Sequence, residues 1–314
     1  MNPLTGIYSA ASGLRNSLFD RGVLPSRRLE QPVISVGSLS AGGAGKTPFV
    51  IALGELLKAR GIRFDVLSRG YRRKSRGVLV VKPDGSSEDF GDEPLLIARR
   101  LGVPVVVGER RYEAGRVAEQ KFQLQLHLLD DGFQHRSLAR SFDIVLLAAD
   151  DFRDCLLPSG RLREPFSSLK RADAVVLPAS LATEYPELRQ KLIWRVEREI
   201  VLPNLPPMPV VFCGIAQLEQ FFAQIRAAGV TPAAELSFGD HHHYDGSDVQ
   251  RLLALRARLN AGGFLTTEKD AVNLGGFQHE LRDLAIAVLT LKVDRPTDVV
   301  DTILARITDH KPRS

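Results

Sequence analysis

A Gly-Lys-Thr triplet at residues 45–47 is the strongest chemical signal in the chain. A β-branched run from Val33 to Val36 precedes it, a glycine-rich turn separates the two, and an apolar segment with helical spacing follows. In this strand–loop–helix order, backbone N–H groups bind a phosphate at the positive end of the helix. Lys46 would then reach the β- and γ-phosphates, and the Thr47 hydroxyl would ligate Mg²⁺. A βα turn without a ligand is the alternative. The predicted nucleotide-binding residues are Ser40, Ala41, Gly42, Gly43, Ala44, Gly45, Lys46 and Thr47, with Ser40 in place of the first glycine of the usual pattern.

A second candidate lies at Asp130-Asp131, where a mostly apolar run from Leu124 ends in two acids. This is typical of a Walker B strand, whose terminal carboxylate lies beside Mg²⁺. Two adjacent acids repel each other, and a metal ion offsets that cost. A turn without a metal is the alternative for an Asp-Asp-Gly sequence, but the phosphate loop upstream favours the metal site.

A third group of acids, Asp92 and Glu93, stands between Gly91 and Pro94 at the start of a helical segment. Helix capping alone would select these residue types at a helix start. A carboxylate beside a phosphate loop is also suited to act as a general base that takes a hydroxyl proton. The residues by themselves support both interpretations equally.

Two loops rich in arginine are candidates for binding anions. Residues 68–77 hold five cations around Tyr71, and Arg72 is among them. They follow a predicted strand, at the edge of the sheet where open α/β folds bind ligands. Residues 157–165 include Arg161 and Arg163, which would stabilise charge on a transferred phosphoryl group. Each segment has a solvated surface loop as its alternative.

Three consecutive histidines, 241–243, form the most reactive segment of the second half of the chain. They cannot share one face of a helix or strand, so together they make a poor metal site. One histidine oriented by a carboxylate and acting across a cleft is the more consistent interpretation.

Composition and element order set the framework for these residues. The chain has 314 residues, 44% hydrophobic and 25% charged, which is typical of a globular protein with one large or two medium domains. Its two cysteines are far apart, which predicts neither a disulfide framework nor a zinc site. The alternation of strands and helices predicts an α/β fold with a parallel sheet. A helix is expected over 185–199, followed by a proline-rich linker and a second α/β alternation.

The N-terminal 30 residues have an amphipathic pattern. Ile7, Ala11, Leu14 and Leu18 recur at steps of three and four, with arginines nearby. Such a helix either lies in a membrane interface or packs on the protein body. No apolar run is long enough to cross a bilayer. The net charge of +5 indicates an acidic partner, which could be a nucleic acid, an anionic lipid or a phosphorylated substrate.

Taken in order, these segments resemble the tetraacyldisaccharide 4′-kinases of lipid A biosynthesis in Gram-negative bacteria. The resemblance covers nearly the whole chain, and the ordered combination of motifs is far more specific than any single one. Two departures occur, at Ser38 and Ala44, where the family usually has Asn and Thr. The matching segments are Arg15-Asn16, the loop from Val36 to Pro48, Ser68–Tyr71, Gly91–Pro94, Asp130–His135, Leu162–Pro165, Asp240–His242 with Tyr244, and Thr266–Asp270.

The resemblance implies transfer of the γ-phosphoryl group of ATP, with Mg²⁺, to the 4′-hydroxyl of a tetraacylated glucosamine disaccharide 1-phosphate. It implies a peripheral enzyme at the cytoplasmic face of the inner membrane, with no nucleic acid and no obligate protein partner. The implied organisation is an interfacial helix at 1–30, a P-loop NTPase-like kinase domain at 31–195, and a proline-rich, two-stranded linker at 196–209 that lets the domains close. A smaller α/β domain at 210–314 follows, whose last segment could pack back on the first domain. By position, the implied residues are catalytic Asp92, His241 and Lys46; metal-binding Thr47, Asp130, Asp131 and Glu93; and substrate-binding Tyr71, Arg72, Arg163 and Glu164. His241 is preferred to His242 because it directly follows Asp240, as in the family pattern.

Two other functions compete with this one. A P-loop ATPase switch at a membrane would phosphorylate no small molecule, but such switches often carry a second lysine where this chain has Ala41. An RNA-binding module using the cluster from Arg72 to Arg76 lacks any accompanying RNA-recognition signature.

Overall fold

The computed structural model describes residues 3–181 and 185–309. The predicted terminal segments and first domain also include residues 1–2, 182–184 and 310–314, which lie outside the described residues. The helices are α1 (Pro3–Asp20), α2 (Lys46–Ala59), α3 (Ser87–Phe90), α4 (Asp92–Leu101), α5 (Arg111–Lys121), α6 (Leu218–Ala227), α7 (Gly246–Leu259), α8 (Glu268–Leu274) and α9 (Pro296–Asp309). The strands are β1 (Val33–Ser38), β2 (Phe64–Ser68), β3 (Leu79–Val80), β4 (Val105–Val107), β5 (Leu126–Asp130), β6 (Phe142–Leu146), β7 (Ala174–Pro178), β8 (Leu192–Val201), β9 (Val210–Cys213), β10 (Ala234–Ser237), β11 (Phe264–Thr267) and β12 (Leu284–Val293).

The described strands form one mixed, mostly parallel sheet in the order β10-β9-β11-β12-β8-β7-β6-β1-β5-β2-β4-β3. Within the described part of the chain, only β8–β12 and β3–β4 pair antiparallel. The predicted α/β fold with a mostly parallel sheet is confirmed. Strand β1 lies between β5 and β6, with Val36 opposite both Asp130 and Ile144. Because parallel strands end at the same edge, the glycine-rich loop and Asp130 emerge side by side.

The core beneath this edge is built by strands whose residues are buried on both faces. All six residues of β1 are buried, as expected for a central parallel strand. Helix α2 covers one face with Phe49, Leu53 and Leu57, which are spaced four residues apart and fully buried. Each such side chain contributes roughly 1.5–3 kcal/mol by leaving water, so the start of α2 is firmly fixed. Helix α9 packs on the same cluster through Val299, Val300 and Ile303.

The expected helix over residues 185–199 is wrong. A short 3₁₀ turn at Pro186–Leu188 is followed by the ten-residue strand β8. Trp194 and Val196 are buried while Glu197 and Glu199 are exposed, which is the two-residue period of a strand. Pairing with β7 on one side and β12 on the other decides the conformation over the helical propensity of the charged residues.

Strand β8 crosses the predicted domain boundary between residues 195 and 196. The chain leaves the first half of the sheet through β8 and returns through β12, which pair in register from Val196–Val293 to Val201–Val288. The proline-rich stretch after β8, residues 202–209, contains no helix or strand. The division into domains stays a prediction.

Candidate functional site

The loop between β1 and α2 has the backbone of a phosphate-binding loop. Gly42, Gly43 and Gly45 have φ angles of 74°, 73° and 80°, which residues with a Cβ atom rarely adopt. Gly45 is the N-cap of α2, so the unpaired N–H groups of the helix start face the loop. Nζ of Lys46 lies 3.3 Å from Oγ of Ser38 and 3.5 Å from Oδ1 of Asp131. The dipole of α2, the N–H groups at its start and the Lys46 ammonium therefore converge on one anion site.

The departures at Ser40 and Ser38 fit this backbone. Ser40 is not among the described residues with positive φ, so its position does not require a glycine. The Ser38 hydroxyl donates to the Ser40 carbonyl at 2.7 Å, and Lys46 contacts the same hydroxyl at 3.3 Å. Ser38 thus anchors the first turn of the loop and the lysine together.

The two acids at the end of β5 face different partners. Asp130 is buried, accepts a 3.0 Å hydrogen bond from Ser68 through Oδ2, and leaves Oδ1 buried without a partner. Burial and the charges of Glu93 and Asp131 raise the pKa of Asp130 to about 7. An orphaned carboxylate oxygen beside a phosphate loop is a position that a cation would satisfy.

Asp131 has a φ of 50° and turns towards cations instead. It accepts hydrogen bonds from Arg163 at 3.0 and 3.3 Å and pairs with Lys46. Burial raises the pKa of Asp131, but Lys46 and Arg163 outweigh that effect and bring it below its ordinary value. The predicted pair of metal ligands therefore separates into one free carboxylate oxygen and one ion-paired carboxylate.

Asp92 and His241 meet although 149 residues separate them. Asp92 is buried at the start of α4, and its Oδ2 lies 2.7 Å from Nδ1 of His241. Burial raises the pKa of Asp92, but the His241 hydrogen bond, the Lys269 charge and the Asn273 hydrogen bond bring it below its ordinary value. The carboxylate is therefore ionised at neutral pH and able to accept a proton.

The neighbours of this pair hold its geometry. Gly91, before Asp92, has φ 88° and ψ 148°, and a Cβ there would lie 3.1 Å from the Tyr71 carbonyl. His241 itself has a φ of 58°, an uncommon conformation for a residue with a side chain. The Tyr71 ring contacts the His241 ring edge to face at 5.4 Å.

Lys269 and Asn273, on α8, join the site although they were not among the predicted residues. Nζ of Lys269 lies 3.2 Å from His241 Nε2 and 3.8 Å from Asp92 Oδ2, and Asn273 donates to Asp92 Oδ2 at 3.2 Å. Since an ammonium only donates, Nε2 of His241 accepts there and Nδ1 carries the proton directed at Asp92. The Thr-Glu-Lys-Asp sequence at the end of β11 was the available signal.

The cationic loop of residues 68–77 also contacts the segment that holds the three histidines. Arg72 donates to the Asp240 carbonyl at 2.6 Å and lies over the Tyr71 ring. Glu93 is partly buried near Lys46 and Lys269, and burial raises its pKa. Tyr71, Arg72 and Asp92 therefore all contact residues 240–241, and Glu93, next to Asp92, lines a cavity together with the phosphate loop.

Glu164 lies elsewhere. It is buried and accepts hydrogen bonds from Arg171 at 2.8 Å and from Asn16 of α1 at 2.6 Å. None of its described hydrogen bonds reaches Asp92, His241 or Lys46. Arg163 faces Asp131, so this predicted pair divides between the site and the α1 contact.

Two cavities adjoin the phosphate loop. The smaller, of about 250 Å³, lies between the loop, Glu93 and Lys269, and the larger, of about 700 Å³, extends from Gly43 past the ends of β6 and β7. No cluster of three or more His, Cys, Asp or Glu side chains arranged for a metal occurs in the described ranges. A Mg²⁺ ion that takes most of its ligands from nucleotide phosphates and water needs only one or two protein groups, which Thr47 and Asp130 could provide.

Comparison with known proteins identifies the family of the chain. The sequence profile of the family described as LpxK, tetraacyldisaccharide-1-P 4′-kinase, matches residues 1–308. A tetraacyldisaccharide 4′-kinase of Koribacter versatilis is 48% identical over 314 residues, covering 97% of this chain and 98% of the relative. That of Aquifex aeolicus is 37% identical, covering 88% of this chain and 90% of the relative. A crystal structure of LpxK from Aquifex aeolicus in complex with ATP superposes with a TM-score of 0.80 at 34% identity, covering 97% of both chains.

Proposed function

Because the chain belongs to the tetraacyldisaccharide-1-P 4′-kinase family and is an ATP-dependent kinase, we propose that Asp92 is its catalytic base and that His241 orients Asp92. The enzyme transfers the γ-phosphoryl group of ATP to the 4′-hydroxyl of a tetraacylated glucosamine disaccharide 1-phosphate, a lipid A precursor. This function is favoured over the ATPase switch, since relatives along nearly the whole chain are named as kinases. The observation that carries the proposal is the 2.7 Å contact between Asp92 and His241 beside the phosphate loop.

The chemistry follows from the charges around this contact. The 4′-hydroxyl gives its proton to Asp92 while its oxygen bonds to the γ-phosphorus and the bond to the β–γ bridging oxygen breaks, which leaves ADP. Asp92 is ionised because its partners lower its pKa, so it is available as the acceptor. The hydrogen bond from His241 and the nearby Lys269 fix the carboxylate and balance its charge. Lys46 and the loop N–H groups hold the phosphates.

We assign the magnesium position to Thr47 and Asp130. The support is the buried, unpartnered Oδ1 of Asp130 beside the loop. A bound Mg²⁺ would neutralise charge on the β- and γ-phosphates. Glu93 remains close enough to influence Asp130 electrostatically, whereas Asp131 positions Lys46 and Arg163 through ion pairs.

The acceptor is expected to enter beside the cationic loop. Tyr71 is exposed and contacts the His241 ring, and Arg72 is exposed and lies over the Tyr71 ring, so both are accessible to a ligand next to His241. Arg163 adds a guanidinium near Lys46 through their shared partner Asp131. We propose that Tyr71 and Arg72 contact the phosphorylated disaccharide and that Arg163 stabilises charge during transfer.

We further propose that α1 binds the cytoplasmic leaflet of the inner membrane. Its inner side is held by hydrogen bonds from Tyr8 to the Arg163 carbonyl at 3.0 Å and from Asn16 to Glu164 at 2.6 Å. Its outer side exposes Ile7 and Leu14, which are 65% and 63% accessible. No helix within residues 3–181 or 185–309 meets the length and hydropathy needed to cross a bilayer. An interfacial helix would bring the cleft to a substrate whose acyl chains stay in the membrane.

The direct test uses [γ-³²P]ATP, MgCl₂ and the tetraacylated disaccharide 1-phosphate in mixed micelles. The wild-type enzyme is expected to label the glycolipid, and Asp92→Asn to lower kcat by roughly 10²–10⁴-fold without changing ATP affinity. Asp89→Asn is the matched control, because Asp89 is exposed three residues earlier and contacts Ser86. Near-normal turnover of Asp92→Asn would remove Asp92 from the role of base.

A further inference from the structure

Arg198 reaches the phosphate loop from β8, the strand between β7 and β12. Its Nη2 lies 3.3 Å from the Gly43 carbonyl, and its other terminal nitrogen donates to Gln220 of α6 at 3.1 Å. A Cβ atom on Gly45 would lie 3.0 Å from the same guanidinium. The side chain therefore lies directly against the segment that binds phosphate.

This guanidinium has no carboxylate partner. No ion pair in the described part of the chain includes Arg198, and burial is the sole cause that lowers its pKa. A partly buried cation without a counter-charge is unfavourable unless an anion joins it. Neutral contacts to Gly43 and Gln220 hold the group in position but leave its charge uncompensated.

The two cavities meet at this residue. Arg198, Gly43 and Ala44 line both the 250 Å³ cavity beside Lys46 and the 700 Å³ cavity beyond. The larger cavity follows residues 146–150 and 176–180, at the carboxyl ends of β6 and β7. Ligands of open α/β sheets bind at this edge. A nucleotide whose phosphates occupy the loop would have its remaining part in the larger cavity, past Arg198.

We propose that Arg198 binds the phosphate chain of ATP in addition to Lys46. The proposal rests on the kinase function above and adds a nucleotide-binding residue supplied by β8. Since β8 pairs with β12, an anion held by Arg198 would connect the nucleotide to the antiparallel strand pair between the two halves of the sheet.

The test compares Arg198→Gln and Arg198→Lys with wild type by displacement of a fluorescent ADP analogue. Arg198→Gln is expected to weaken ATP and ADP binding by about tenfold to a hundredfold, as expected for a lost charged hydrogen bond. Adenosine should be unaffected, because it has no phosphate. Arg198→Lys should be intermediate, since it keeps the charge without the forked donor. Lys292→Gln is the control, because Lys292 is an exposed cation on the neighbouring strand.

Three outcomes would overturn the assignment. Unchanged ATP affinity would show that Arg198 does not contact the phosphates. An equal loss of affinity for adenosine would show that Arg198 acts on the nucleoside or on the shape of the cavity. A lowered unfolding midpoint with equal losses for all ligands would show that the substitution acts through the fold. These binding measurements need no acceptor lipid, so a failure of glycolipid phosphorylation is distinguishable from a failure of this proposal.

Discussion

His241 and His242 are adjacent in the chain but face opposite directions. Nδ1 of His241 lies 2.7 Å from Asp92 across the cleft, whereas Nε2 of His242 lies 2.7 Å from Asp248 of the neighbouring helix α7. The His242 ring also stacks on Phe238 at 4.8 Å. One imidazole therefore belongs to the cleft and the other to the packing of the residues that follow β10.

These different contacts predict different effects when His241 or His242 is replaced by alanine. His241→Ala should lower kcat by about tenfold or more, because Asp92 loses a charge-assisted hydrogen bond. His242→Ala should leave kcat near wild type and lower the free energy of unfolding by about 1 kcal/mol. Steady-state kinetics and urea unfolding of both variants measure the two effects. A fall in kcat for His242→Ala with an unchanged fold would contradict the assignment.

Glu164 is predicted to stabilise the protein rather than to bind the lipid substrate. Glu164→Ala would leave the mostly buried Arg171 without its carboxylate and α1 without its Asn16 contact. The free energy of unfolding should fall by about 3 kcal/mol, and trypsin should cleave faster at Arg15. Glu187→Ala, at an exposed acid, is the control. If Glu164→Ala instead raises KM for the lipid with unchanged stability, Glu164 is a substrate-binding residue after all.

The exposed side of α1 is predicted to carry membrane binding. Replacing both Ile7 and Leu14 with Asn should weaken binding to phosphatidylglycerol vesicles at least about tenfold, because each side chain loses favourable transfer into the interface. Vesicle flotation measures this, and added salt should weaken wild-type binding by screening the arginines. Met208→Gln is the control, since it removes an exposed apolar group elsewhere. Unchanged flotation of the double variant would indicate that α1 only packs on the protein.

A buried charge cluster near the amino-terminal ends of β5 and β2 predicts how the free energy of unfolding depends on pH. His127 of β5 lies opposite Asp65 of β2, 2.6 Å from its carboxylate, and 3.3 Å from Glu119. Burial lowers the pKa of His127, but the hydrogen bonds to Asp65 and Glu119 outweigh it and raise the pKa to about 9.

Because the folded state keeps the proton that the unfolded chain releases near pH 6.5, this stabilisation is complete below that pH. It is lost as pH rises towards 9, by up to ~3 kcal/mol. Urea unfolding at intervals from pH 6.5 to 8.5 measures the decline, and His127→Asn should flatten it. Should that variant not fold, an NMR titration of His127 in the wild-type protein provides the same test; an ordinary pKa there would exclude this account.

Local patterns predicted the phosphate loop, since a strand, three glycines and a helix are contiguous in sequence. The end of β5 was predicted for the same reason. The contact between Asp92 and His241 was not available from spacing, because it depends on how two distant segments meet; only family resemblance indicated it. Lys269 lies in the Thr266–Asp270 segment that the resemblance includes, but its contact with His241 and Asp92 depends on the fold, and nothing near Asn273 or Arg198 in sequence indicates what they contact. The local pattern predicts a helix over residues 185–199, although residues 192–201 form β8, because the pairing of this strand comes from distant β7 and β12.

The paired strands β8 and β12 limit how the two halves of the sheet can move. The chain runs from one half of the sheet to the other through β8 and returns through β12. These two strands are joined by main-chain hydrogen bonds along six residue pairs. A double crossing resists sliding and separation but permits bending and twisting, so relative motion reduces to few degrees of freedom. A protease that cut within residues 202–209 would therefore yield two fragments that stay associated as one particle until the protein is denatured.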